Sequence, residues 1–182
     1  KTDPKLHYLQ YNPVIEPINP VIIPTPVKDV MARYIKLSQP SSGGFNVGEI
    51  MAFAKPNDGV NLINSSMVAT ISSHVAAAPI SNLIDNDLGT YAENTGSDAG
   101  WVQVDLGQNM SIGMVRVYNR QNCCQKRLNG SILTLTDENN NIVYQSDPLA
   151  DLSGSIEYVD GGNTWSFNNY SFFIPNPVAV GS

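Results

Sequence analysis

The sequence predicts an all-β chain, an antiparallel jelly-roll sandwich entered through an extended, proline-rich N-terminal arm. Three observations carry that class. Short runs rich in Val, Ile, Tyr and Thr recur from Ala32 onward. Gly, Asn, Asp and Pro clusters separate them at even spacing, as in sandwiches and jelly rolls. No stretch sustains a 3.6-residue apolar period, and nothing repeats at a fixed interval.

Six of the twelve prolines lie before residue 27, at Pro4, Pro13, Pro17, Pro20, Pro24 and Pro26. They fix φ and remove backbone donors, so residues 1–29 are expected to form a polyproline-like arm. Val14, Ile15, Ile18, Val21, Ile22 and Ile23 give the arm apolar surface that a solvated tether does not need, so it is expected to lie along a partner chain or along the domain, with a flexible linker as the alternative. Residues 30–182 form the sandwich, with candidate strands at Arg33–Leu37, Asn46–Phe53, Trp101–Asp105, Ile112–Asn119, Ser131–Thr136, Ile142–Gln145 and Trp165–Ile174. Asp137-Glu138-Asn139-Asn140-Asn141 is turn chemistry, making a hairpin of its flanking strands. Met67–Ala78 is apolar but mixed with Ser and β-branched residues. Trp101, at the start of a strand, is expected in the core; Tyr91 and Trp165 are candidate stacking surfaces.

Charged residues make up 14% of the chain, with net charge −6 and pI near 4.7. That composition argues against nucleic acid and anionic membrane as partners, since both select basic patches. No apolar run reaches the ~18 residues a membrane span requires. The chain opens at Lys1 without methionine, as it would after removal of an upstream signal or anchor. Sequons at Asn64, Asn109, Asn129 and Asn169 are too common by chance to carry weight. No Ser/His/Asp arrangement, phosphate loop or acid/base carboxylate pair stands out, so the chain is not read as an enzyme.

Cys123 and Cys124 are the only cysteines, adjacent in Arg120-Gln121-Asn122-Cys123-Cys124-Gln125-Lys126-Arg127. Joined, they would close a small local ring: a stiff loop tip with apolar sulfur between two guanidinium groups, favoured in an oxidising or exterior setting. A reduced pair and a soft-metal half-site are the alternatives. Zinc is disfavoured because Cys-x-x-Cys spacing is absent and only His7 and His74 could complete a ligand set.

Several motifs in order resemble the discoidin and coagulation-factor type C superfamily, of galactose-binding-like fold, and within it the F-type, fucose-binding lectins. They are Asn82-Leu83-Ile84-Asp85-Asn86-Asp87, Trp101-Val102-Gln103-Val104-Asp105-Leu106-Gly107, Val115-Arg116-Val117-Tyr118-Asn119-Arg120, and Arg-x-Asn-Cys-Cys-x-x-Arg-Leu-Asn-Gly from Arg120 to Gly130. The parts look permuted: Arg33–Leu37 with Asn46–Ile50 resembles the segment that usually closes such domains, so the first strands are expected to pair with Trp165–Ile174.

The resemblance implies a calcium site: carbonyls near Asn82 and Asp87, the Asp85 carboxylate, Glu49 with the Gly48 carbonyl, and a further oxygen near Asn94. The alternative is an Asx-rich turn capped by its own side chains. The resemblance also implies that Arg120 and Arg127 hydrogen-bond sugar hydroxyls while Cys123 and Cys124 touch the sugar's apolar edge. Asn122 stands where the family has Asp. The family's His would fall near Glu93 or Asn94, and neither position holds His. A structural alternative pairs the arginines with an acidic residue across the sheet. Two functions follow as expectations. One is a calcium-stabilised, glycan-binding, lectin-like module on an extracellular, cell or virion surface. The other is a structural subunit, such as a virion component, using the jelly roll and arm for protein contacts.

Overall fold

The computed structural model describes residues 30–56, 58–149, 158–160, 163–165 and 169–174. Its strands, in chain order, are β1 (Met31–Ser42), β2 (Asn46–Val47), β3 (Glu49–Phe53), β4 (Val68–Ile71), β5 (Ala92–Glu93), β6 (Ala99–Ser111), β7 (Met114–Tyr118), β8 (Ile132–Thr136), β9 (Ile142–Gln145), β10 (Tyr158–Asp160), β11 (Asn163–Trp165) and β12 (Asn169–Phe173). Single 3-10 turns at Ile80–Leu83 and Gln125–Leu128 are the only helical segments among the described residues.

Two five-stranded sheets, ordered β4-β6-β1-β8-β9 and β10-β11-β12-β7-β3, and the small β2-β5 ladder make an all-β antiparallel architecture consistent with the expected jelly roll. The core follows from strand alternation. Ile35 and Leu37 of β1, Val102 and Val104 of β6, and Leu133 and Leu135 of β8 are fully buried from one sheet. Ile50 and Ala52 of β3, Val115 and Val117 of β7, and Phe172 of β12 are fully buried from the other. On the outer face, Arg33 donates through Nε and Nη2 to the two Asp105 oxygens at 2.8 and 3.0 Å, tying β1 to β6.

The predicted hairpin is formed by β8 and β9. Its turn is closed by Asp137 N–H to Asn141 C=O at 3.0 Å, with Asn140 at φ 63°. Other expectations are corrected. The opening strands do not pair with the last one: β1 lies between β6 and β8, while β3 and β12 flank β7 on opposite edges. Asn46–Phe53 divides at Gly48, whose N–H bonds to Tyr118 C=O at 2.9 Å. A side chain there would meet the Asn119 carbonyl at 2.9 Å, so this crossing needs glycine. Trp165–Ile174 is not one strand: Trp165 ends β11, and β12, which pairs antiparallel with β11, fills Asn169–Phe173. Trp101 is outside the core: with Val102 and Val104 turned inward, period two sends Trp101 outward, where Lys36 Nζ sits 4.7 Å from its ring centroid. The expected arm, residues 1–29, lies outside the described residues.

Candidate functional site: an arginine pair and an acidic loop

The chain leaves β7 at Asn119, which is fully buried and shapes the next loop. Its Nδ2 donates to Gln125 C=O at 2.9 Å and its Oδ1 accepts the Arg120 N–H at 2.9 Å. Cys123 and Cys124 are joined. Cys124 adopts φ 68°, and its carbonyl accepts the Arg127 N–H at 3.0 Å, starting the 3-10 turn. Leu128, with no exposed surface, anchors that turn in the core, and Gln39 Nε2 holds the Arg127 carbonyl at 2.5 Å. The loop tip is therefore braced from below and from β1.

That bracing turns both arginines onto Glu93 of β5. Arg127 Nη1 donates to Glu93 Oε1 at 2.6 Å, and Arg120 Nη1 donates to Oε2 at 3.2 Å. The Arg120 guanidinium also lies 3.7 Å from the Tyr91 ring centroid and donates through Nε to Asn122 Oδ1 at 2.6 Å. Gly44 lets Arg127 approach: a Cβ there would stand 2.8 Å from the guanidinium carbon. The two arginines are not equivalent. The Arg120 side chain is 14% exposed and that of Arg127 37%, so a ligand would meet mainly Arg127 and the sulfur surface. Because Glu93 takes one N–H from each cation, the cluster carries a single net positive charge and places an acceptor between two donor groups.

Asn94 does something other than face a ligand. It is 2% exposed, its Oδ1 accepts the Phe45 N–H at 2.7 Å, and its Nδ2 reaches Gly43 C=O at 3.4 Å. The side chain fastens the 43–45 loop against β5, which removes Asn94 from both the sugar-facing surface and the metal ligand set.

The second cluster is acidic. Glu49 is fully buried, and neither carboxylate oxygen makes a hydrogen bond of good geometry, although the Asp85 carboxyl and the Asp85 and Asn86 backbone amides lie close by. Burial pushes its pKa up to about 8, and the neighbouring Asp85 carboxylate adds to the rise. Asp85 Oδ1 accepts the Asp87 N–H at 2.8 Å and Oδ2 accepts the Thr90 hydroxyl at 2.9 Å. Asp87 Oδ1 caps Gly89 N–H at 2.8 Å, and Asn82 Nδ2 donates to Tyr91 C=O at 3.0 Å. The Asx-turn alternative is thus real for Asp85 and Asp87, while Glu49 is unexplained by it. An orphaned, buried carboxylate beside another one suits a hard cation. Among the described residues no three His, Cys, Asp or Glu side chains converge, so any shell would combine Glu49 and Asp85 with backbone oxygens.

Glu93, Tyr91 and Gly44 complete the cluster around the Arg-x-Asn-Cys-Cys-x-x-Arg loop; the sequence offered Tyr91 as a stacking surface and an unspecified acidic partner for the arginines, but not Gly44. One signal was present: the family offset from Trp101 pointed at position 93, and an acidic residue there is a ready partner for two arginines.

With this geometry in view, residues 82–164 match the family model described as the NedA-like, galactose-binding domain of the F5/8 type C class. The match bears out the superfamily resemblance and agrees with the observed fold. Domains of this family are binding modules, compatible with glycan or protein ligands and commonly extracellular or surface-exposed. No curated protein and no solved structure gives a significant match to the chain. Among the described residues no helix is long and apolar enough to cross a membrane.

Proposed function

We propose that this chain is a non-enzymatic, calcium-stabilised carbohydrate-binding module that works on an extracellular, cell or virion surface. The observation that carries the reading is the convergence of Arg120 and Arg127 on Glu93 beside the Cys123–Cys124 disulfide. Sugar hydroxyls both donate and accept, so they need donors and an acceptor side by side, and the sulfur pair gives apolar surface for ring C–H groups. Each guanidinium has five N–H donors, more than Glu93 and Asn122 engage. Calcium would be held by Glu49 and Asp85 with carbonyls near Gly48, Asn82 and Asp87, where it would neutralise the orphaned carboxylate and tie β3 to the 82–87 loop.

A glycan array read with calcium and with chelator, using the wild type and Arg127→Ala, tests this function. The wild type should bind a defined set of glycans, and Arg127→Ala should lose them while remaining folded. Monosaccharide sites near millimolar carry only about 4 kcal/mol, so losing one Arg contact erases detectable binding. Undiminished binding by a folded Arg120→Ala/Arg127→Ala variant would place the site elsewhere.

A second reading is favoured by the same Glu93 contacts, because they also pin the loop without any ligand. In that reading the chain is a structural subunit whose jelly roll and N-terminal arm contact other proteins. An array without hits, combined with incorporation into a larger particle, would select it.

A further inference from the structure

We infer that Glu93 sets the charge selectivity of the arginine site: it admits neutral saccharides presenting adjacent hydroxyls and excludes saccharides bearing carboxylate or sulfate. The inference rests on the carbohydrate-binding reading and goes beyond it to the chemical class of ligand.

Glu93 bridges two cations with separate oxygens, Oε1 to Arg127 at 2.6 Å and Oε2 to Arg120 at 3.2 Å. Its side chain is 20% exposed, so part of it reaches the site surface. An acidic ligand would compete with this carboxylate for the same Nη1 donors and would be repelled by it at close range. A hydroxyl meets neither obstacle. It accepts from a guanidinium N–H and donates its own proton to a Glu93 oxygen. Two adjacent hydroxyls match the alternation of donor and acceptor that Arg127 and Glu93 present. The packing around the arginines makes the arrangement firm, since Tyr91 backs Arg120 and the bare Gly44 backbone backs Arg127.

Beyond the side chain's hold on the arginine loop, the backbone of position 93 is fastened on its own. Its N–H bonds to Ala78 C=O at 3.2 Å and its C=O accepts the Val75 N–H at 3.0 Å. Glu93→Gln therefore removes one charge from the site and leaves those links in place. Without the internal counterion the cluster doubles its net positive charge and an acidic ligand becomes the better partner.

The test compares three proteins, wild type, Glu93→Gln and Glu93→Asp, on immobilised galactose, galactose 6-sulfate and galacturonic acid. The wild type should prefer the neutral sugar. Glu93→Gln should raise the acidic-to-neutral ratio by about tenfold, the scale of one close charge contact near a surface. Glu93→Asp, which keeps the charge, should keep the neutral preference. Wild-type binding to the acidic sugars as tight as to galactose overturns the inference, and this comparison decides even if a variant fails to fold. A ratio in folded Glu93→Gln within about twofold of wild type overturns it as well while leaving carbohydrate binding standing. If all three folded proteins bind none of the sugars, the selectivity falls as stated, while the glycan array decides the carbohydrate reading separately.

Discussion

Glu49 shows how much one residue can decide. Free in an unfolded chain, its carboxyl titrates near 4.5; in the fold, burial and Asp85 hold its proton to about pH 8. Between those values the folded state binds more protons than the unfolded state. Stability therefore falls as pH rises through the window, and the loss is complete above the folded value. The effect is on the order of a few kcal/mol at most. A cation at Glu49 and Asp85 would remove it. Melting followed from pH 5 to 9 in chelator should show the decline, whereas calcium should flatten it and Glu49→Gln should lose the slope under both conditions. Identical curves with calcium and chelator would rule out a cation at this place. The oxygen-bearing residues themselves were legible in the sequence, because Asn82, Asp85 and Asp87 fall close together and Glu49 on a strand. Their division of labour was not. Hydrogen bonds as local as Asp87 to Gly89 and as distant as Asn94 to Phe45 decide which oxygens remain unpartnered, and the second kind depends on the fold.

Among the elements, the strands that the sequence disclosed are those whose two faces differ. β6 alternates buried Val102, Val104 and Leu106 with outward Trp101, Gln103 and Asp105, and β8 does the same with Leu133 and Leu135. β2 and β5 have two residues each, too few for any period, and β4 is an edge strand without a fully buried residue. The arginine loop was legible as a loop, but its partner was not, since Glu93 lies 27 and 34 residues from Arg120 and Arg127. The loops around the site depend on a further close approach besides those at Gly44 and Gly48. At Gly100 of β6 a Cβ would lie 2.4 Å from Phe45 Cβ and 3.0 Å from Asn94 Nδ2. Gly100→Ala should therefore push the 43–45 loop off β5 and cost about 1–3 kcal/mol, the usual range for an overpacked core. Chemical denaturation would measure that loss, and because Gly44 supports Arg127, any glycan affinity should fall with it. A Gly100→Ala variant as stable as the wild type would show that Phe45 repacks freely. Reduction of Cys123–Cys124 should act differently. The bridge closes no long loop, so it should leave global stability within about 1 kcal/mol while weakening ligand binding.

For the whole molecule, the sandwich gives a way to separate the two functional readings, because its arginine loop and its N-terminal arm are independent in sequence. The described fold begins at Val30, whose carbonyl accepts the Ile112 N–H at 2.9 Å, so the domain is already anchored where the arm joins it. Among the described residues, the strands of both sheets, the arginine cluster and the acidic loop all come from Val30 onward. A chain starting at Val30 should therefore fold, melt close to the full-length protein, and retain any calcium sensitivity and glycan binding. If the arm joins this domain to a larger assembly, the same truncation should abolish incorporation. Six prolines reduce the entropy lost when the segment is fixed on a partner, and Ile15, Ile18, Ile22 and Ile23 supply the apolar surface to hold it there. Co-purification of full-length and truncated chains with their native particle, together with limited proteolysis of the free and assembled forms, makes the comparison. Protection of the arm only in the assembly, with loss of incorporation on truncation, would establish a binding strap. A truncated chain that assembles normally would make the arm a linker and leave the arginine loop as the site through which the protein acts.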